Sequence, residues 1–115
     1  MNNPVVGSLG EKIALNFLKK NKCKILHTNY KNKLGEIDII CLDKKTKETV
    51  FVEVKSRSSL EFGLPSEAVD ERKQFKIKNT ASLYMLENKI FEDKIRFDVI
   101  EILNNEVLNH IKHAF

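Results

Sequence analysis

Residues 35–55 read GEIDIICLDKKTKETVFVEVK, and the alternation of apolar and charged residues here indicates how the chain folds. Two runs of strand-forming residues, 35–42 and 49–56, flank a polar turn, so the pattern predicts an antiparallel β-hairpin. If the hairpin closes about the centre of that turn, the numbers of facing residues sum to 91. Asp38 then lies directly across from Glu53.

Side chains alternate between the two faces of a strand, which sorts the residues of this hairpin. On the first strand, one face is predicted to carry Glu36, Asp38 and Ile40, and the other Ile37, Ile39 and Cys41. On the second strand, Glu53 and Lys55 are predicted to share a face with Phe51. Acidic groups of both strands and a lysine are therefore expected on one side of the sheet.

The hairpin by itself allows two interpretations of the Asp38–Glu53 pair. Facing carboxylates have Cβ atoms about 5 Å apart and repel each other unless a positive charge intervenes. A divalent cation supplies that charge, and paired carboxylate oxygens suit Mg²⁺ or Mn²⁺. In the other reading, Lys55 and the two acids form a solvent-facing ladder of ion pairs that contributes little stability.

The rest of the chain predicts helices packed on a mixed sheet, in the order αβββαβ with a fifth strand after residue 105 left open. Ser8 and Glu11 form a capping-box pattern at the start of an amphipathic helix. Strands are predicted at 23–30 and 94–103, and a long helix at about 66–87, after a loop through Gly63 and Pro65.

Length and composition favour one α/β domain, residues 1–115. The 20 basic and 16 acidic residues give a net charge of +4, which is compatible with a polyanionic partner. Cys23 and Cys41 lie in apolar runs without C-x-x-C spacing, which favours a reducing compartment. With no signal peptide or membrane-spanning run in the sequence, we expect a cytoplasmic protein that does not associate with membranes.

Asp38 followed by Glu-Val-Lys at 53–55 resembles the PD-(D/E)XK signature of restriction-endonuclease-like nucleases, with Ile37 in place of the proline. The surrounding sequence gives a more specific match to a family. The strings GEKIALNFL, ILHTNYKNKLGEIDIIC, VFVEVKSR, FGLPSEAV and RFDV, in this order, closely resemble the YraN family of small bacterial proteins. That resemblance implies a restriction-endonuclease-like core, similar to that of archaeal Holliday-junction resolvases.

The resemblance also implies a site that hydrolyses DNA with Mg²⁺ or Mn²⁺. Asp38, Glu53 and the main-chain carbonyl of Val54 are expected to hold the cation, and Lys55 to position the nucleophile or stabilise developing charge. With the family match included, the metal reading is favoured over the ion-pair ladder. Similar resolvases act as dimers on branched DNA, so a homodimer is compatible with this reading.

Further residues are candidates with an alternative for each. Glu11 lies on a face of its helix that is expected to be partly buried, and it is either a metal ligand or only a helix cap. Glu36 is either an outer acceptor beside the metal site or a solvent-exposed acid. Lys73, on the apolar face of the long helix, either reaches the phosphate or Glu53 or lies along the edge of the core. The expected nucleic-acid contacts are Arg57, Lys73, Lys31 and Tyr30.

The function predicted is therefore that of a metal-dependent endonuclease-like phosphodiesterase acting on DNA, with branched or structured DNA as the leading candidate. The main alternative is a nucleic-acid-binding module of the same fold without efficient catalysis, which would bind in a strongly salt-dependent way. A protein-binding scaffold is a third reading. His27, His110 and His113 have no metal-ligand spacing and are predicted to be incidental, and Asp98 is predicted to be structural.

Overall fold

The computed structural model describes residues 5–57, 69–91 and 94–115, without the side chains of residues 5–8 and 57. Within these ranges, two helices and five strands follow one another. They are α1 (Val5–Lys20), β1 (Cys23–Asn32), β2 (Gly35–Asp43), β3 (Glu48–Arg57), α2 (Glu71–Asn88), β4 (Ile95–Leu103) and β5 (Glu106–Ile111). The predicted element order is confirmed, and the strand left open after residue 105 is present.

The five strands form one mixed sheet in the order β1-β2-β3-β4-β5. β3 and β4 run parallel, because the connection between them passes through α2, whereas all other neighbours are antiparallel. Asn104 and Asn105 form the two-residue turn between β4 and β5, and both have positive φ, as the tight turn of such a hairpin requires.

In the described part of the chain, one helix covers each face of the sheet, and each interface is a separate apolar core. On the α1 side the buried residues are Ala14, Leu18, Cys23, Ile39, Cys41, Val50, Val52, Ile100 and Ile102. On the α2 side they are Ile37, Ile40, Phe51, Val69, Ile77, Ala81, Tyr84, Met85, Phe97 and Val99. In the described ranges, neither helix has both the length and the apolar composition needed to span a membrane.

Both predicted helix starts are wrong. α1 begins at Val5, so Ser8 lies inside the helix and is not its N-cap. α2 begins at Glu71, because Asp70 is extended (φ −78°, ψ 173°) and its carboxylate accepts a hydrogen bond from the Lys73 N–H at 2.9 Å. Asp70 is therefore the N-cap. The loop expected at Gly63 and Pro65 lies outside the described residues, as do residues 66–68 of the predicted helix.

The predicted alternation of β2 is wrong at Ile37, which packs on the α2 side with Ile40. The β1–β2 ladder continues on both sides of Asn29 and Asp38 but does not pair these two residues, both of which the structure describes. Asn29 has a left-handed backbone (φ 51°), which interrupts the pleat there. Asp38 therefore lies where the regular alternation of β2 is broken.

Candidate active site

The hairpin has the predicted register, which brings the two acids together. Paired residues of β2 and β3 run from Asp43–Glu48 to Ile39–Val52, and their numbers sum to 91 throughout. Beyond the last of these pairs, the Asp38 carboxylate accepts a hydrogen bond from the Val54 N–H at 2.8 Å. A side chain thus joins the strands where the main-chain ladder ends, and it lies within hydrogen-bonding contact of the Glu53 carboxyl group.

An open cavity of about 330 Å³ adjoins this contact. Its walls come from the start of β2, the middle of β3 and the first half of α2. The lining residues are Gly35, Glu36, Asp38, Glu53, Lys73, Lys76 and Ile77. Gly35 makes the close approach of β2 to α2 possible, because it has a φ of +157° and a Cβ there would lie 2.7 Å from the Thr80 hydroxyl oxygen.

Negative charge is held in this site at a cost in free energy. Burial, followed by the charge of Glu53, raises the pKa of Asp38 from 3.8 to about 6. The Val54 N–H and the charge of Lys73 oppose this rise but do not cancel it. The Glu53 side chain is only 8 % exposed. The two carboxyl groups therefore carry a deficit of positive charge that a bound cation would relieve.

Lys73 reaches this pair from α2. Its Nζ lies 2.5 Å from the Glu53 Oε2, so of the roles left open by the sequence, contact with Glu53 is the one that the structure contains. Burial by itself would lower the Lys73 pKa, but the hydrogen bond and charge of Glu53, with the charges of Asp38 and Asp70, raise it. The ammonium group is thus firmly charged, and its side chain remains 46 % exposed.

Glu11, on α1, lies close enough to Asp38 to respond to its charge. Burial and the charge of Asp38 raise its pKa, and a hydrogen bond with the Asn29 side chain opposes the rise. α1 comes close to β3 at Gly10, where a Cβ would collide with the Ser56 hydroxyl. The absence of a side chain at Gly10 thus helps to bring Glu11 near Asp38, although the two lie far apart in sequence.

Lys55 lies two residues beyond Glu53 on β3 and is half-buried. Its Cα is paired with that of Glu101 on β4, and Glu101 is completely buried. Since residues two apart on a strand face the same way, Lys55 shares the face of Glu53. Lys55 is not among the residues that line the cavity.

The other predicted residues lie at the rim of the cavity or away from the cavity. Lys31 and Glu36 face each other across β1 and β2 at 3.8 Å, and both side chains are about 70 % exposed. The Tyr30 ring packs edge-on against Tyr84, with centroids 5.1 Å apart, and its hydroxyl accepts a hydrogen bond from Asn32. Nucleic-acid contact by Lys31 and Tyr30 stays a prediction. The side chain of Arg57 lies outside the described residues.

The carboxylates do not form a ready-made cage for a metal. Among the described side chains, no group of three or more His, Cys, Asp or Glu residues converges as ligands of one ion. Asp38 and Glu53 are instead a pair beside open space. That arrangement fits Mg²⁺ or Mn²⁺, which commonly take one or two carboxylates and complete their shells with water and phosphate.

The sequence interpretation missed a second charged cluster, centred on Arg96 of β4. The buried guanidinium binds Asp98 at 2.9 and 3.1 Å, Asp43 at 3.1 Å and Glu48 at 2.9 Å. His110 is not incidental, because its Nε2 lies 2.8 Å from the Asp98 Oδ2. The signal was available: Arg96 and Asp98 are two apart in an apolar strand, and they must share a buried face.

This second cluster is a structural network rather than a site. In the part of the chain that the structure describes, every buried polar side-chain atom has a hydrogen-bond partner. Despite burial, the hydrogen bonds of His110 and Arg96 hold the Asp98 pKa below its ordinary value. Asp98 is thus a buried structural acid, as predicted.

Comparison with known sequences identifies close relatives of the whole chain. Residues 10–102 match the sequence profile described as "Uncharacterised protein family UPF0102". A UPF0102 protein of Clostridioides difficile is 49 % identical over 116 residues, covering 100 % of both chains. Another, of Caldanaerobacter subterraneus subsp. tengcongensis, is 49 % identical over 121 residues, covering 100 % of this chain and 98 % of the relative.

Comparison with solved structures finds proteins of similar fold, among them a repair endonuclease. A repair endonuclease from Pyrococcus abyssi superposes with a TM-score of 0.50 at 17 % identity, covering 82 % of this chain. The structure of an EndoMS–dsDNA complex superposes with a TM-score of 0.50 at 15 % identity, covering 85 % of this chain. This chain spans only 38 % of the length of either protein. The endonuclease-like fold expected from the sequence is confirmed.

Proposed function

We propose that this chain, which belongs to the uncharacterised protein family UPF0102, the YraN family, is a divalent-metal-dependent nuclease that hydrolyses DNA phosphodiester bonds. The observation that carries the proposal is the buried contact between Asp38 and Glu53 beside an open cavity. A protein that only bound DNA would gain nothing from two acids facing a polyanion. The endonuclease-like fold of the chain is consistent with the proposal.

Asp38 and Glu53 would hold a Mg²⁺ or Mn²⁺ ion, with the main-chain carbonyl of Val54 and the Glu11 carboxylate as further candidate ligands. Their hard oxygen donors and the raised pKa of Asp38 fit such an ion, because both acids are stabilised when a cation neutralises them. When bound, the cation would lower the pKa of a water nucleophile and neutralise charge on the scissile phosphate.

Lys55 would act on the reacting phosphate from the same face of β3 as Glu53. An ammonium group there stabilises the negative charge that grows as the water oxygen forms its bond to phosphorus and the bond to the leaving oxygen breaks. The proton of the water passes to solvent, and the leaving oxygen takes a proton in turn. Glu36, at the cavity wall, would accept hydrogen bonds from water in the site.

The surroundings of the cavity suit a nucleic-acid backbone. Lys73 and Lys76 line it, Lys31 lies at its rim, and the chain as a whole has a net charge of +4. Arg57 and Tyr30 are further proposed contacts. EndoMS was solved with double-stranded DNA, and we infer DNA as the partner here too, with branched DNA as the leading substrate and a homodimer as the active form. Two copies would serve the two strands that a junction presents.

The test is a cleavage assay with a four-way junction, single-stranded DNA and plain duplex, each in Mg²⁺, in Mn²⁺ and in EDTA. We expect metal-dependent cleavage that falls by at least about 100-fold in Asp38→Ala and in Lys55→Ala. Glu87→Gln is the control, because Glu87 is an exposed acid at the far end of α2. Salt-sensitive binding without any cleavage would overturn the nuclease proposal in favour of the non-catalytic binding module.

A further inference from the structure

Lys73 occupies the position of a cation in the proposed metal site. Its ammonium group contacts the Glu53 Oε2, an oxygen that a metal ion would need as a ligand. The Glu53 side chain is only 8 % exposed. The charges of Glu53 and Asp38 both favour the protonated form of Lys73. One positive charge is therefore already supplied to the two acids from α2.

The anchoring of Lys73 is compatible with movement of its side chain alone. Its main-chain N–H is held by the Asp70 carboxylate at 2.9 Å, in the N-terminal turn of α2. The long side chain crosses from this fixed point to Glu53 and stays 46 % exposed along the way. A change of rotamer would carry the ammonium group into the open cavity without any change in the helix.

Two cations at one carboxylate oxygen destabilise each other, because their positive charges repel at short distance. Lys76 is different: it lines the same cavity and is exposed, but in the described contacts it forms no ion pair with Glu53. Lys76 thus lies in the same cavity as Lys73 but does not contact the Glu53 carboxylate.

We propose that the Lys73 ammonium is the built-in counterion of the metal-free site, and that a divalent cation must displace it from Glu53, freeing it to contact the substrate phosphate. This inference rests on the proposed function, because it requires Glu53 to be a metal ligand. It assigns two successive roles to one lysine. In the metal-free protein it stabilises the paired acids, and in the loaded protein it adds positive charge to the DNA-binding surface.

The first test measures Mn²⁺ binding by isothermal titration, without DNA. Lys73→Met is expected to bind Mn²⁺ about 10-fold or more tightly than the wild type, because no charge-assisted hydrogen bond must be broken. Lys76→Met is the matched control and is expected to gain no more than about 3-fold, since an exposed charge acts only through the screened field. Lys73→Arg restores a competing cation and is expected to bind like the wild type.

The second test uses the unaltered protein, so it does not depend on the folding of a variant. Trace acetylation of lysines, read by mass spectrometry, is expected to label Lys73 several-fold faster when saturating Mg²⁺ is present than in EDTA. Lys76 serves as the internal control and is expected to change little. In parallel, Lys73→Met is expected to unfold at a lower temperature than the wild type in EDTA and to gain more from Mn²⁺.

The outcomes separate this inference from the proposed function. If the wild type binds Mn²⁺ and cleaves DNA but Lys73→Met binds no more tightly, the displacement is refuted while the nuclease proposal stands. If neither protein binds Mn²⁺, the metal site and the displacement both fail. Binding by Lys73→Met alone would support the displacement, because the lysine would then be the obstacle to loading.

Discussion

Replacement of Asp38 by asparagine is expected to stabilise the metal-free protein while destroying its metal site. The Asp38 pKa of about 6, against an ordinary 3.8, means that folding disfavours the charged carboxylate. At about 1.4 kcal/mol for each pKa unit, the charge costs about 3 kcal/mol of folding free energy. Asparagine carries no charge, and its side-chain oxygen can still accept the Val54 N–H. We therefore expect Asp38→Asn to be more stable by about 1–3 kcal/mol at pH 8.

The gain has a defined pH dependence. Between about pH 4 and pH 6 the unfolded chain has released the Asp38 proton while the folded chain retains it. Wild-type stability therefore falls as the pH rises through this window and reaches its low value above it. Asparagine does not titrate, so the advantage of Asp38→Asn is full at pH 8 and disappears toward pH 4.

The assay is thermal and urea unfolding in EDTA at pH 8, 6 and 4.5, followed by the same scans with Mn²⁺. For a chain of this size, 1 kcal/mol corresponds to a shift in Tm of about 3–6 °C. Mn²⁺ is expected to raise the Tm of the wild type but not that of Asp38→Asn, because ligand binding stabilises only the state that binds it. Glu36→Gln is the control: its side chain is 69 % exposed, and we expect no comparable gain.

A loss of stability in Asp38→Asn at pH 8 would refute the electrostatic reasoning, since the carboxylate would then be a net stabiliser. A gain of the same size at pH 4.5 and pH 8 would also refute it. Such a gain would come from packing or solvation rather than from the charge.

Three further predictions concern residues around the site and the second charged cluster. Arg96→Met is expected to cost about 3–5 kcal/mol at pH 7, because it leaves buried carboxylates without their partner. The difference in stability between variant and wild type should narrow below about pH 4. There the wild type loses the stability that its charged Asp98 contributes, because the pKa of Asp98 is lowered in the folded protein, and the unpaired carboxylates of the variant are neutralised by protons. Gly35→Ala is expected to cost about 1–3 kcal/mol in urea unfolding, because of its positive φ and the collision with the buried Thr80 hydroxyl. Glu11→Gln is expected to weaken Mn²⁺ binding about 10-fold or more in isothermal titration, since Glu11 is close enough to Asp38 for the charge of Asp38 to raise its pKa.

Each of these has a matched control and a contrary outcome. Arg72→Met removes an exposed arginine and should change stability little. An equal loss of stability in both variants would show that the ion pairs of Arg96 do not stabilise the fold. Gly10→Ala meets only a hydroxyl that can rotate, and a larger loss there than in Gly35→Ala would contradict the proposed strain. Unchanged Mn²⁺ affinity in Glu11→Gln would remove Glu11 from the metal site.

The sequence determined the hairpin and, through it, the pairing of the two acids. Strand-forming runs on either side of a short polar turn specify both the antiparallel pairing and its register, since a shift by one residue would move apolar side chains off their buried faces. For this reason the predicted sum of 91 holds from Asp43–Glu48 to Ile39–Val52. The element order was also predictable, because strand and helix periodicities are local patterns.

The surroundings of that pair depend on how the helices pack on the sheet. Lys73 and Glu11 reach it from two helices on opposite faces of the sheet, and their approach depends on how those helices pack, which no local pattern encodes. The break in alternation at Asp38 likewise arises from its unpaired neighbour on β1, Asn29, with its left-handed backbone. Local spacing specifies which residues are neighbours along paired strands, whereas contacts across layers are set by the burial of whole faces, to which distant parts of the chain contribute together.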